Sequence, residues 1–413
     1  MKPFFDLKSV EQVLERISEL EPLDQSESLP LAQARGRSLA ADFTAPEDLP
    51  GFTRSTMDGY ALRARDTFGA SEESPAYAEI VGEVRMGQAP DFKVGPGQCA
   101  VIGTGGMLPQ GADAVLMVEH SRRLDDTTVE ISKSVAPGAN LLGPTDDAAQ
   151  GQVLLPAGQR LRPQDLGLMA GLGLSRVEVV KRPRVGIVST GDEVVPVDTR
   201  PGPGQVRDVN TYTLAAQVEQ AGGEPVIVGL VPDNQEKLRQ AVARSLETCQ
   251  LTLLSGGSSV GTRDLTLGVF HSFAGAKLLV HGVSVSPGKP FIWVQAGDRQ
   301  LLGLPGQVAS CMVTFHLFAD PMLERLQGRP ARPFSRFARL PARLVRNLPS
   351  AAGREEYVRV RAWQEDDGSW LAEPIFGKSG LITTLTRGQG LVRVPRDQEG
   401  LYPDEPVTVL LFP

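Results

Sequence analysis

Leu251–Asp264 reads LTLLSGGSSVGTRD: an apolar run, then serines and glycines, then Val-Gly-Thr-Arg and an acid. An apolar run of this length that spills into glycines reads as a buried strand entering a loop with wide backbone freedom. The same texture repeats on both sides. RVGIVST (184–190) and PVIVGLV (225–231) read as buried strands, and TYTLAAQVEQAGG (211–223) as a helix that ends on Gly. NQEKLRQAVARSLET (234–248) is an amphipathic helix with Leu238, Val242 and Leu246 on one face. KLLVHG, PFIWVQ and QLLGLP follow as strands, then a helix over about 307–327. Strand–helix alternation at this spacing predicts a central parallel sheet with helices on both faces.

Away from this centre the texture changes. Val10, Val13, Leu14 and Ile17 recur at helical spacing over 10–21, and Ser9 with Gln12 fits a capping box. From about 43 to 142 short β-like runs such as CAVIGTGG (99–106) and ADAVLMVEH (112–120) alternate with Gly and Pro, which predicts a β-rich insert. LRPQDLGLMAGLG (161–173) returns to helical spacing. GRPARPFSRFARLPARLVRN (328–347) carries six arginines and no acid, and reads as a solvated connector. The remainder alternates apolar and polar residues, turns at Asp367-Gly368, and predicts a small antiparallel β domain.

Length and composition bound the function. At 413 residues the chain exceeds one core, so two to four domains are expected. A formal net charge of -7 argues against a dedicated nucleic-acid binder. Cys99, Cys249 and Cys311 form no CxxC pair, and the four histidines show no metal-ligand spacing. No run approaches a membrane span and the N-terminus lacks the pattern of a signal peptide, so a soluble cytoplasmic protein is expected.

Ligands of open α/β sheets sit outside the carboxyl ends of the strands, and SGGSSVGTRD lies at such an end. Gly256, Gly257 and Gly261 let the backbone approach a ligand, and successive N–H groups there can cradle an oxyanion. A nucleotide P-loop would need a Lys after the glycines, and none is present. Asp264 admits two readings, a hard oxygen ligand for Mg²⁺ or the cap of a helix beginning near Leu265. Other candidates each carry an ordinary alternative. Glu193, beside Asp192 in VSTGDEV, could belong to a polar turn, and Asp233 with Glu236 could form a capping box. Lys289 on the turn SPGKPF could be a surface lysine, and Asp58-Gly59 in STMDGYAL could be a hairpin turn. Taken together, acids on three successive strand ends point to a phosphorylated ligand and a divalent metal.

The segments STMDGYAL, GTGGMLPQGADAVLMVE, VGIVSTGDEV, LLSGGSSVGTRD, SPGKPF, LGLPG and KSGLITTLTRGQGLVRVP, in this order, resemble the molybdopterin molybdenumtransferase family, relatives of the gephyrin E domain. The resemblance spans nearly the whole chain. It implies four domains: a helical linker and dimerisation domain of 1–45 with about 145–180, a β-rich insert over 46–144, a molybdopterin-binding α/β domain over 181–328, and a small β-barrel-like domain over 329–413. It further implies a homodimer with the cleft between subunits, no membrane or nucleic-acid partner, and a molybdopterin adenylyltransferase as upstream donor. The reaction implied is insertion of molybdate into adenylylated molybdopterin, with Mg²⁺-dependent release of AMP. Position by position, Asp58, Glu193, Asp264 and Lys289 match catalytic residues. Thr104 and Ser379 match cleft positions and are candidate cofactor-binding residues together with Gly256, Gly257, Ser258 and Gly261 of the Gly-rich loop, and the matching acids Asp233 and Asp264 are the candidate metal ligands.

Some positions depart from the family. NLLGPTDD (140–147) has Leu142 where the family carries Arg, and Ser286 replaces the first Lys of KPGKP. Gln307 and Val308 stand for Asn and Pro, and Ser258 for Val. Two cations that would face an anionic ligand are thereby lost. This opens alternatives to insertion of molybdenum: a weakened paralogue that acts as a scaffold for partner peptides, or a tungsten-preferring insertase.

Overall fold

The computed structural model describes residues 7–256 and 260–413. Its centre is a six-stranded sheet in the order 224–231, 184–190, 251–255, 299–304, 292–296, 276–281. The first four strands are parallel, and the last two add antiparallel as a hairpin edge. The parallel prediction therefore holds for four of the six strands, three of them joined to one another through helices and the fourth, 299–304, entered through a hairpin. The tight connection Gly297-Asp298 from 292–296 to 299–304 permits only an antiparallel pair.

Both faces of this sheet are covered. Val185, Ile187, Leu251 and Leu253 meet the helices Asn210–Gln220 and Val308–Thr314 on one side. Val188 and Leu254 meet Gln235–Thr248 and Val260–His271 on the other. The helix Val10–Ser18 has the expected capping box and sends Val10, Val13 and Ile17 into the first of these cores. The helical stretch after Gln307 continues to Leu326 through a wider turn at Phe315–Ala319.

The β-rich insert is a six-stranded sheet in the order 114–117, 59–62, 98–102, 76–83, 128–131, 121–123. Near the linker, the strand Ser26–Pro30 pairs antiparallel with Arg176–Val180, and Pro163–Gly171 forms the expected helix. The C-terminal strands order as 285–286, 355–364, 370–374, 338–344, 406–411, 390–394, and 355–364 pairs again with 390–394, which closes a small barrel. Val358, Val360 and Ala362 fill its interior with Leu344, Val392 and Val409.

The Arg-rich stretch is not the solvated connector its composition suggests. Arg336 lies 2.7 Å from Asp320 and 3.3 Å from Glu324, and also donates to the carbonyl of Ala221. Arg329 sits beside the same Glu324 at 3.8 Å, and burial pulls its pKa down to about 10. Their acidic partners lie on the preceding helix, out of reach of a charge count taken over the stretch itself. Among the described residues, no helix is long and apolar enough to cross a membrane.

Candidate functional site

The strand Arg184–Thr190 feeds leftward to 224–231 while 251–255 feeds rightward, so the sheet order reverses between them. At such a switch point the connecting loops part and leave a crevice. A cavity of about 440 Å³ opens there. Ser189, Thr190, Asp233, Ser255 and Gly256 form its floor at the strand ends, with Glu193 on its wall. Gly306, Gln307 and Val308 close another side, and Gly380 reaches in from the C-terminal barrel.

Two linked sets of bonds organise the floor. The Thr190 hydroxyl donates to Asp233 Oδ1 at 2.7 Å, and the Asp233 amide donates to Asp192 Oδ1 at 3.1 Å. Asp233 does not cap the following helix. Asn234 does so, accepting from the Lys237 amide at 3.1 Å. The capping-box reading of Asp233 is thus overturned, and its carboxylate is aimed at the cavity. Beside it, buried Asp208 accepts from Ser189 Oγ at 3.0 Å, from Thr211 Oγ1 at 2.6 Å and from the Thr211 amide at 3.1 Å. Asn210 donates to the Gly306 carbonyl at 2.9 Å while its Oδ1 has no partner among the described residues.

Gly256 has φ +130°, and a Cβ there would strike the carbonyl oxygen of Thr190. Only glycine lets the loop leave the strand so close to the residue that holds Asp233. Gly257 and Ser258 lie outside the described residues. Gly261 and Asp264 fall on the helix Val260–His271, and the Asp264 side chain is likewise outside the description. Because that helix starts at Val260, Asp264 lies inside it rather than capping a helix from Leu265.

Asp58 and Thr104 come together in the insert. Asp58 Oδ1 accepts from the Thr104 amide at 2.7 Å and from its hydroxyl at 2.9 Å. Those two bonds, the amide first, hold the Asp58 carboxyl below its ordinary pKa. Gly59 starts a strand between two neighbours, so Asp58-Gly59 is not a hairpin turn. No insert residue lines the cavity of its own chain. The sequence-derived site is therefore split, with Asp233 and Glu193 at the cavity and Asp58 and Thr104 elsewhere.

The remaining candidates lie where the barrel meets the α/β sheet. The Ser379 carbonyl accepts from the Ala309 amide at 3.0 Å, which docks the barrel loop on the helix Val308–Thr314. Val285–Ser286 pairs parallel with Glu355–Glu356, so the turn carrying Lys289 borders the barrel. Ser286 donates to Glu356 at 3.2 Å. Arg354 pairs with the same carboxylate at 3.5 Å. Leu142 pairs with Arg54 in a short ladder.

Four residues were missed from sequence. Arg207, Asp208 and Asn210 line the cavity from QVRDVN, ahead of the helix Asn210–Gln220. The signal available was Asp followed by Thr three residues on, an N-terminal helix signature adjoining a strand end. Arg359 lies in the barrel wall, 6% exposed, with one Nη2 on the Gly377 carbonyl at 2.7 Å and its Nε unpartnered. Burial depresses its pKa, and nothing in EYVRVRAW distinguishes it from its neighbours. Among the described residues, no three His, Cys, Asp or Glu side chains converge as a metal cage.

Family descriptions match three stretches: the MoeA N-terminal region (domain I and II) over 8–173, a probable molybdopterin binding domain over 186–325, and the MoeA C-terminal region (domain IV) over 341–412. The chain is 31% identical to the molybdopterin molybdenumtransferase of Bacillus subtilis, across 98% of this chain and 94% of that one. It is 35% identical to the Nostoc enzyme of that name, across 79% and 76%. The crystal structure of the molybdopterin biosynthesis MoeA protein from Pyrococcus horikoshii superposes with a TM-score of 0.84 at 29% identity, covering 98% of this chain and all of that one.

Proposed function

The chain belongs to the MoeA-type molybdopterin molybdenumtransferases, transferases of molybdenum cofactor biosynthesis, and from that membership we propose that it inserts molybdate into adenylylated molybdopterin with release of AMP. The observation that carries the reading is the Asp233 carboxylate, relieved of capping by Asn234 and held by Thr190 at the switch-point cavity. A cavity of about 440 Å³ falls in the range of small-molecule sites, so it suits one end of the nucleotide-linked pterin.

Mg²⁺ fits the donors at this place. It keeps several waters and needs only one or two carboxylates besides substrate phosphates, and Asp233 with adjacent Asp192 supplies hard oxygens of that kind. Asp264 is the further carboxylate implied by the family resemblance. When bound, the ion would neutralise charge developing on the phosphates as the anhydride is cleaved. This chain's own residues do the rest. Arg207 lines the cavity and meets the anionic ligand, Lys289 and Ser379 are the further donors that the family resemblance implies, and Asp208 braces Ser189 at the floor. The unpartnered Asn210 Oδ1 is available to an N–H or O–H donor of the ligand after a small side-chain shift.

We further take the active molecule to be a homodimer in which Asp58 and Thr104 of the partner subunit face the cavity, because the insert does not reach its own. The test is to mix purified protein with adenylylated molybdopterin, Mg²⁺ and molybdate and follow AMP. Molybdate-dependent release supports the reading. Tight nucleotide binding without release overturns it in favour of the scaffold, and release only with tungstate makes the chain a tungsten insertase.

A further inference from the structure

The barrel carries a second cavity, of about 470 Å³, that none of the roles above uses. Arg346, Arg361 and Arg387 line it against a single acid, Glu373, and Phe376 adds a ring that is 51% exposed. Three guanidiniums against one carboxylate is a local excess of cations in a chain whose net charge is -7. Arg346 is already engaged, donating to the Pro374 carbonyl at 2.6 Å, sitting 3.7 Å from Glu373 and lying 5.1 Å over the Phe376 ring. The side chains of Arg361 and Arg387 have no hydrogen bond or ion pair among the described residues; Arg361 stands opposite Glu373 in the ladder and lies 5.9 Å over the Trp363 ring.

The setting adds meaning to the charge. Val358, Val360 and Ala362 point into the barrel, so Arg359 and Arg361 share its outer face. Arg359 is bonded to Gly377, and the loop that starts at Phe376 in this cavity ends at Gly380 in the other. Guanidiniums gathered in a concave site repel one another until an anion arrives, and their planar forks fit oxyanions with paired hydrogen bonds.

We propose that the Arg346–Arg361–Arg387 cavity binds a tetrahedral dianion beside the loop that borders the ligand cavity. The dianion is free molybdate or the phosphate of the nucleotide; this choice of anions rests on the function proposed above. The site works as a holding point that raises the local concentration of the anion.

Equilibrium binding of molybdate alone, and of AMP alone, to the full-length protein tests this at fixed ionic strength. The variants are Arg361→Ala/Arg387→Ala and the charge-keeping Arg361→Lys/Arg387→Lys, each checked for an unchanged unfolding midpoint. A loss of roughly tenfold or more with the alanine pair, partly restored by the lysine pair, is expected. Such a loss for molybdate assigns the site to the free oxyanion, and for AMP to the nucleotide phosphate. Wild-type affinity for both anions in the alanine pair overturns the site. Binding is read without turnover, so a protein that never releases AMP but shows these losses refutes the insertase and leaves the anion site standing.

Discussion

Asp233 and Asn234 sit side by side, and either could cap the helix that follows. The structure gives the cap to Asn234 and the cavity to Asp233. Two substitutions should therefore part company. Asn234→Ala should lower unfolding free energy by about 1 kcal/mol and leave AMP release intact. Asp233→Asn should keep the urea midpoint near wild type and abolish release; near-normal turnover in that variant removes Asp233 from the chemistry. Asp58 offers a test by pH. The Thr104 amide and hydroxyl lower its pKa in the folded state, so the stabilisation they give is complete above the ordinary carboxylate range and fades as pH falls through the lowered value. Thr104→Val keeps the amide and loses the hydroxyl. A carboxyl NMR titration should find Asp58 shifted part of the way back upward, and an unmoved titration contradicts the hydroxyl's share.

At the scale of elements, the strands and helices of the central sheet were legible because burial on both faces leaves unbroken apolar runs that no loop would carry. The antiparallel pair 292–296 and 299–304 was legible in the two-residue turn of QAGDRQ, which is too short for a parallel crossover, yet both strands were assigned to the parallel sheet. The end of the strand Leu251–Ser255 gives a sharp test. Gly256→Ala should push Thr190 off Asp233, cost at least about 2 kcal/mol in chemical denaturation and reduce AMP release with it. A fully stable, fully active variant would mean that the loop leaves the strand by another path. The Arg-rich stretch was misread because a charge becomes a connector or a buried pair according to what faces it. Arg336→Leu would take the nearer cation from buried Asp320 and Glu324 and leave Glu324 only Arg329 at 3.8 Å, and should cost about 3–5 kcal/mol in urea unfolding. Part of that loss should return in mildly acidic buffer, where Glu324, whose pKa burial raises, takes up a proton.

For the whole molecule, the separation of Asp58 from the cavity makes assembly measurable. If each cavity is completed by the other subunit, an Asp58→Asn chain and an Asp233→Asn chain, both inactive alone, should recover about a quarter of wild-type AMP release after mixing and exchange, because half the dimers are mixed and each has one intact site. No recovery despite proven subunit exchange would place Asp58 outside the reaction. The sequence by itself determined the family, the α/β centre, the insert and the closing barrel, because periodicity and ordered motifs are local properties that survive without coordinates. Tertiary structure alone decided which acids line the cavity, which arginines are buried, and that Asp208 and Asn210 stand at the cavity. Those are questions of what lies opposite a side chain, and a partner 43 residues away, as for Asp233, or 96 away, as for Asn210, leaves no mark on the residues beside it.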